Sequence, residues 1–164
     1  MKRILLALAA FFIATTAQAG VDFRIAMDPL STMVGIGGVV AEYRITEGIS
    51  VGYEMDSLTL IGTFNNSAFT FNLPFARYYF SGYDDSFYLG AGSVGLDVVT
   101  TGLNPGTANA SGTSLEIGYQ WRWDLFDQEL GYETWNVGNL TLSDGRVVDM
   151  GSFSGLVYNI GIHF

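Results

Sequence analysis

Charged side chains of both signs recur at alternate positions among apolar residues, and the chemistry they offer is ion pairing. Residues at every second position of a β-strand point to the same face of its sheet. Charges that share a narrow, dry space are expected to pair, because an unpaired buried charge is costly. We therefore predict an Arg–Glu network on one sheet face, made up of Arg24, Glu42, Arg44, Glu54, Arg77, Glu116, Arg122 and Glu133, with Asp56, Gln120 and Asn159 beside it.

Patterns for catalysis or metal binding are weak by comparison. His163 is the only histidine and the chain contains no cysteine, so no metal-ligand spacing exists. A lone histidine at the end of a strand is more often packed or solvated than a general base. Acidic residues are plentiful enough for a carboxylate-pair hydrolase, but no pair stands out. We predict no catalytic, cofactor-binding or metal-binding residue, and no cofactor.

The elements that must carry the network are strands with one apolar face. The last twelve residues show this most clearly, because Leu156, Tyr158, Ile160, Ile162 and Phe164 alternate with smaller or more polar residues. Similar alternation predicts strands at about 21–28, 34–45, 49–56, 68–80, 87–98, 114–123, 128–137 and 153–164. The apolar phase changes at Pro74, which predicts a bulge or phase slip in the fourth strand.

The beginning of the chain is typical of a secretion signal. Lys2 and Arg3 precede an apolar run at 4–13, and Ala17-Gln18-Ala19 is a small-residue cleavage pattern. The run is too short for a membrane helix, which needs about 20 apolar residues. We predict a signal peptide at 1–19 and one domain at 20–164.

The charge and cysteine content exclude some classes of protein. Beyond residue 19 the chain has five arginines, no lysine and all 16 acidic residues, so nucleic acid is not an expected partner. No cysteine is present, so an exported chain of this kind must close its structure without disulfides.

Hydropathy and strand number together predict a membrane barrel. Mean hydropathy is +0.29, yet beyond the signal segment the apolar residues are interleaved with polar ones. The strand count is even, and the connections after the second, fourth and sixth strands are shorter than the others, of which 100–112 and 136–151 are the longest. Short periplasmic turns and longer outer loops are typical of outer-membrane barrels. The fold class predicted is all-β, an eight-stranded antiparallel up-and-down transmembrane β-barrel; a soluble sandwich is the alternative.

Aromatic residues cluster near both predicted ends of the strands, as in the interfacial girdles of membrane proteins. The girdle at the turn end is predicted to contain Phe23, Tyr43, Tyr78, Phe80, Phe87, Trp121, Trp123 and Phe164. Candidates for the opposite girdle are Phe69, Phe71, Trp135 and Phe153.

The segment 155–164 resembles the C-terminal strand signal that the outer-membrane assembly machinery recognises, and the chain is similar to small eight-stranded outer-membrane barrels of Gram-negative bacteria, the class of the OmpA transmembrane domain and the opacity-like proteins. The resemblance implies an outer-membrane location, with Tyr158, Ile160, Ile162 and Phe164 as the assembly signal. It also implies contact with outer-membrane lipid, lipopolysaccharide and the assembly machinery, and a monomer. We expect no further domain after the last strand, and therefore no wall-binding role.

Three functions fit this resemblance. An eight-stranded barrel is narrow enough to be filled by its own side chains, which favours a plugged barrel with a structural or surface-interaction role. The second is a narrow channel for small or amphipathic solutes, with the Arg–Glu network as its gate. The third, least favoured for want of a nucleophile and a base, is a lipid A-modifying enzyme.

Overall fold

A computed structural model describes residues 22–33, 35–63, 65–82, 85–103 and 105–164; the predicted signal peptide and Val21 lie outside these ranges. The strands are β1 (Phe23–Met27), β2 (Ile36–Thr46), β3 (Ile49–Ile61), β4 (Asn65–Tyr79), β5 (Ser86–Gly102), β6 (Gly106–Trp123), β7 (Phe126–Leu142) and β8 (Val147–His163). Each pairs antiparallel with the next, and β8 pairs with β1, so the sheet is a closed up-and-down barrel. The predicted eight-stranded barrel fold is confirmed.

One short helix, α1 (Pro29–Met33), follows β1. The side chain of Asp28 caps it, since its Oδ1 accepts a hydrogen bond from the Ser31 backbone N–H at 3.0 Å. Pro29 stands at the first helical position, where a missing N–H costs nothing. Among the residues the structure describes, no helix is long and apolar enough to cross a membrane.

The wall of the barrel has its apolar side outside and its charges inside. Along β6, Leu115 and Ile117 point outward and are 64% and 54% exposed, whereas Ser114 and Gln120 point inward and are buried. The same arrangement holds along β2, where Glu42 and Arg44 are buried and Val39 is exposed. This is the reverse of a water-soluble sandwich, in which the apolar face is the buried one.

The bulge predicted at Pro74 is wrong. The register between β3 and β4 runs without a shift from Ile49↔Tyr78, through Tyr53↔Pro74, to Ile61↔Asn66. Leu73 and Arg77 are therefore both on the inward phase of β4, and both are buried. What changes along the strand is the polarity of the barrel interior. The interior is charged near the end that carries the β2–β3, β4–β5 and β6–β7 connections, called the turn end below, and it is apolar farther along.

The apolar half of the interior explains a second correction. Leu73, Val94, Leu96, Ala110 and Val137 form a buried cluster. Phe69, Phe71 and Trp135 pack against that cluster instead of forming an outer girdle, and the rings of Phe71 and Trp135 are 5.2 Å apart. Phe153 pairs with Trp135 in the β7–β8 ladder and shares its inward phase.

The predicted alternation of short and long connections is also wrong in detail. Most of 100–112 and 136–151 is strand, and the connections after β5 and β7 are only 103–105 and 143–146. The connection 80–85, after β4, is longer than 62–64, after β3. Ladder pairing with neighbouring strands overrides the low strand propensity of the Gly, Asn and Ser residues in those segments.

The barrel closes through a short seam between β1 and β8. This ladder extends from Arg24↔His163 to Met27↔Ile160. Beyond Ile160, toward the β7–β8 turn, β8 pairs with β7 but, within the described residues, has no ladder partner on its other edge. Helix α1 packs beside that edge.

Candidate functional site in the barrel interior

Arg77 is the centre of the charged half of the interior. Its Nε donates to Glu116 at 2.9 Å, its Nη1 to Glu42 at 3.0 Å and to Glu129 at 3.1 Å, and its Nη2 to Glu116 at 2.9 Å and Glu129 at 3.2 Å. The guanidinium lies 4.7 Å from the ring centroid of Tyr88. All five donors of a guanidinium are thereby used.

Arg24 extends this network across the seam. Its Nη2 is 2.6 Å from Asp127 Oδ1, and its Nη1 is 3.2 Å from Glu42 and 3.0 Å from Glu129. Glu42 is the ladder partner of Arg24 on the neighbouring β2, whereas the contacts with Asp127 and Glu129 reach β7 over the inner face of β8. The Tyr79 hydroxyl also donates to Glu42 at 2.7 Å, so a buried phenol, two arginines and several carboxylates form one continuous group.

A second cluster closes the turn end of the barrel around Asp22, which precedes β1. Asp22 accepts hydrogen bonds from the Arg122 guanidinium and lies 2.7 Å from His163 Nδ1. His163 Nε2 is 2.8 Å from Asp127 Oδ2, a contact whose angle is outside that of a hydrogen bond. Burial raises the pKa of Asp22, but the hydrogen bonds and charges of His163 and Arg122 outweigh it and hold the pKa below its usual value.

The eight residues predicted for the network separate into three groups. Arg24, Glu42, Arg77 and Glu116 come together around the Arg77 guanidinium. Arg44 and Arg122 lie nearer the turn end, where Arg44 donates to Gln120 at 2.8 Å and Arg122 pairs with Asp22. Glu54 and Glu133 are buried on the inward face but form no arginine ion pair within the described residues.

Several members of the network were not predicted. Asp127 and Glu129 are on the inward phase of β7, and both are completely buried. Tyr79 and Tyr88 are equally buried and bond to Glu42 and Glu116. The available signal was the inward phase itself, which contains all four; His163, predicted to be packed or solvated, is packed between two carboxylates.

The remaining predicted residues are those of the assembly signal and the aromatic girdle, and they lie on the outward face toward the turn end. Tyr158, Ile160, Ile162 and Phe164 occupy alternate positions of β8 and its end, and the last three are each about 41–43% exposed. Tyr78, Phe80 and Trp123 are exposed, while Phe23, Tyr43 and Trp121 are half-buried. In the part of the chain that the structure describes, no group of three or more His, Cys, Asp or Glu side chains has the geometry to hold a metal ion.

Comparison with solved structures finds other barrels of similar fold. The N-terminal β-barrel domain of OprF from Pseudomonas aeruginosa has a TM-score of 0.61 at 11% sequence identity, covering 88% of this chain and 96% of that one. Neisserial surface protein A (NspA) has a TM-score of 0.60 at 18% identity, with the same coverage. The chain has their fold. Both are eight-stranded outer-membrane barrels. No protein-family model matches the chain, and no curated protein matches its sequence.

Proposed function

We propose that the protein is a closed, monomeric β-barrel of the bacterial outer membrane, with a structural or surface-interaction role. The observation that carries the proposal is the saturated Arg77 guanidinium, which joins strands from different parts of the wall across the lumen. The exposed apolar outer face and the shared fold of two outer-membrane barrels support the location.

The alternative of a solute channel is opposed by two blocks in series. The ion network fills the half nearer the turns, with Arg24, Arg77 and Glu129 at most 2% exposed. The apolar cluster around Leu73 and Leu96 fills the next stretch. A conduit would need to break several charge-assisted hydrogen bonds in a dry interior, which are the strong kind.

Enzymatic activity is not part of the proposal. His163 is held between Asp22 and Asp127 at the turn end, and within the described part of the chain no serine hydroxyl is bonded to it. Both ring nitrogens face carboxylates, an arrangement that favours the positively charged imidazolium over the neutral ring that a general base needs.

The partners proposed follow from the outer face and the last strand. Outer-membrane lipid and lipopolysaccharide would contact the exposed apolar residues, and the assembly machinery would recognise Tyr158, Ile160, Ile162 and Phe164 during insertion. Exposed rings at the strand ends suit a membrane–water interface. The closed barrel leaves few strand edges free for pairing with a second chain, which favours a monomer.

Conductance across a planar lipid bilayer tests the closed state. We expect the folded protein to give no discrete current steps, and Arg122→Ala to lower the resistance to urea unfolding without opening a pore. Arg146→Ala, in an exposed pair with Asp144, is the control for loss of an arginine. Steady single-channel currents from the unmodified protein, or from Arg122→Ala at unchanged stability, would favour the gated channel.

A further inference from the structure

A cavity of about 190 Å³ lies beside the seam, away from the Arg77 network. We call it the seam cavity; it is lined by Asp28, Ser31, Ile36, Glu54, Asp56, Glu133, Trp135 and residues 153–157 of β8. Gly155 explains part of its volume, because a Cβ built there would meet no atom within 4 Å. The lining combines carboxylates with apolar residues.

The cavity opens sideways through the wall of the barrel. Five consecutive residues of β8 line it, including the inward Val157 and the outward Leu156, so it wraps around the edge of the strand. That edge has no β1 partner beyond Ile160. Leu156 is 72% exposed and pairs with Tyr132, which in turn pairs with Ile117 in the middle of the apolar outer face.

Three of the carboxylates that line the cavity form no ion pair with a cation among the residues the structure describes. Glu54, Asp56 and Glu133 are 7%, 6% and 7% exposed, and none forms an ion pair within the described residues. Arg77 has no donor left for them, since its five N–H groups are used by other acids. Buried negative charge in this position needs a proton or a cation to neutralise it.

An independent observation comes from Trp135. Its buried indole nitrogen faces the cavity lining near Glu133 but has no hydrogen-bond partner of normal geometry. A buried donor without a well-aligned acceptor costs free energy. A bound cation that moved the Glu133 carboxylate into line with the indole N–H would recover that free energy. The indole ring also offers a face to a cation.

We propose that the seam cavity binds the ammonium head of a single-chain cationic amphiphile that enters from the lipid between β8 and α1. An alkylammonium has three donors for the carboxylates and a tail for the apolar gap beside Leu156. A bare metal ion is excluded because no three ligands in the described residues converge on one point. An anionic lipid head would be repelled by Glu54, Asp56 and Glu133.

The inference goes beyond the proposed function, although the entry route rests on the bilayer location. The test uses the full barrel in nanodiscs of a neutral phosphatidylcholine, with co-elution of protein and disc established first, so that failure of insertion is recognised separately. The probes are dodecylammonium, which has head and tail, ethylammonium, which has the head alone, and dodecanol, which has the tail alone. The readout is the Trp135 indole N–H resonance, assigned with Trp135→Phe.

We expect dodecylammonium alone to shift this resonance in a saturable way. At Gly155 an added Cβ meets no atom within 4 Å, so Gly155→Met should place its side chain in the cavity and abolish the shift. Gly37→Met, on the exposed outward face, should leave the shift unchanged. Glu133→Gln keeps the shape of the side chain and should weaken binding at least about tenfold, as the loss of one charge-assisted hydrogen bond implies.

Two results would overturn the proposal. Equal binding of dodecanol and dodecylammonium would mean that the carboxylates do not recognise the head. Undiminished binding to folded Gly155→Met, or to Glu133→Gln if the first variant does not fold, would place the amphiphile elsewhere on the barrel.

Discussion

At the scale of single residues, Arg77 is the most consequential side chain. Replacing it with Met keeps most of the volume but leaves Glu42, Glu116 and Glu129 buried without their shared cation. Removing one partner of a buried ion pair costs about 3–5 kcal/mol. We expect Arg77→Met to lower the free energy of unfolding by that amount, measured by urea unfolding in lipid vesicles followed through tryptophan fluorescence.

Arg146→Met is the matched control for this prediction. Arg146 pairs with Asp144 at 2.6 Å, but the two side chains are 76% and 52% exposed. Exposed pairs contribute about 0–1 kcal/mol. Equal losses in the two variants would show that the interior network is as well solvated as the surface pair.

Asp22 contributes to the pH dependence of stability with a definite sign. Its pKa in the folded chain lies below the unfolded value, which is about 3.9 for aspartate. Its contribution to stability is therefore complete above that value and is lost as the pH falls through the lower, folded pKa. We expect the unfolding free energy to decline below about pH 4, with a shallower decline in Asp22→Asn, in titrations of both proteins from pH 7 to pH 2.

Sequence alone predicts which charged residues face inward but not which of them meet. Alternation assigns Arg24 to the interior because its neighbours Phe23 and Ile25 are apolar. Its contact with Asp127, 103 positions away, depends on the tilt and stagger of the closed sheet. No local pattern encodes that stagger, so alternation can place Asp127 and Glu129 on the inward face but cannot predict that they meet Arg24.

At the scale of the strands, glycines on β6 and β7 leave room on the inner wall for one aromatic ring of β5. Tyr88 of β5 reaches across the inner wall to Glu116, and a Cβ at Gly118 or Gly131 would overlap its phenol group. Overpacking of this kind costs about 1–3 kcal/mol. We expect Gly118→Ala to lower the unfolding free energy by that amount.

Two further variants separate overlap from a general effect of alanine in a strand. At Gly95 an added Cβ meets Asn72 at the ordinary distances of 3.7 and 3.8 Å, so Gly95→Ala should be neutral or slightly stabilising. Combining Gly118→Ala with Tyr88→Phe removes the atom nearest the new methyl group. The double variant should therefore lose less than the sum of the single losses; simple additivity in urea unfolding would argue against the contact.

The strands show where pattern reasoning is sound and where it fails. Strands with an unbroken apolar outer phase, such as β6, were predicted with the correct face and C-terminal end. In β4 the phase is equally regular, but the apolar Phe69, Phe71 and Leu73 point inward, so hydropathy alone suggested a shift at Pro74. Hydropathy shows which residues are apolar but not which way their side chains point. An apolar residue can be assigned to the outward face only where the interior of the barrel is polar.

At the scale of the whole molecule, closure of the sheet into a barrel determines which inward side chains meet. A closed barrel leaves little free strand edge, so ladder pairing around the ring holds together a chain that contains no cysteine. The sequence predicts this closure only indirectly, through the number of strands and the C-terminal pattern. The short β1 leaves part of β8 without a ladder partner among the described residues and opens the seam cavity. It has no equivalent signal, because composition does not show where the pairing of two distant strands ends.

The outer face provides the decisive test of the bilayer location. Ile117 and Trp123 lie on the same face of β6 and are 54% and 53% exposed, but they are six positions apart, a separation of about 20 Å along the strand. If lipid surrounds the barrel, Ile117→Arg places a charge near the middle of the bilayer and should cost about 2–4 kcal/mol, whereas Trp123→Arg, near the turn, should cost about 0–1 kcal/mol. In water both substitutions would fall within about 0.5 kcal/mol of zero, since exposed positions tolerate charge. Urea unfolding of both variants in vesicles measures the difference, and near-equal small values would remove the physical basis for a membrane-spanning barrel, because depth dependence at matched exposure has no source other than the lipid.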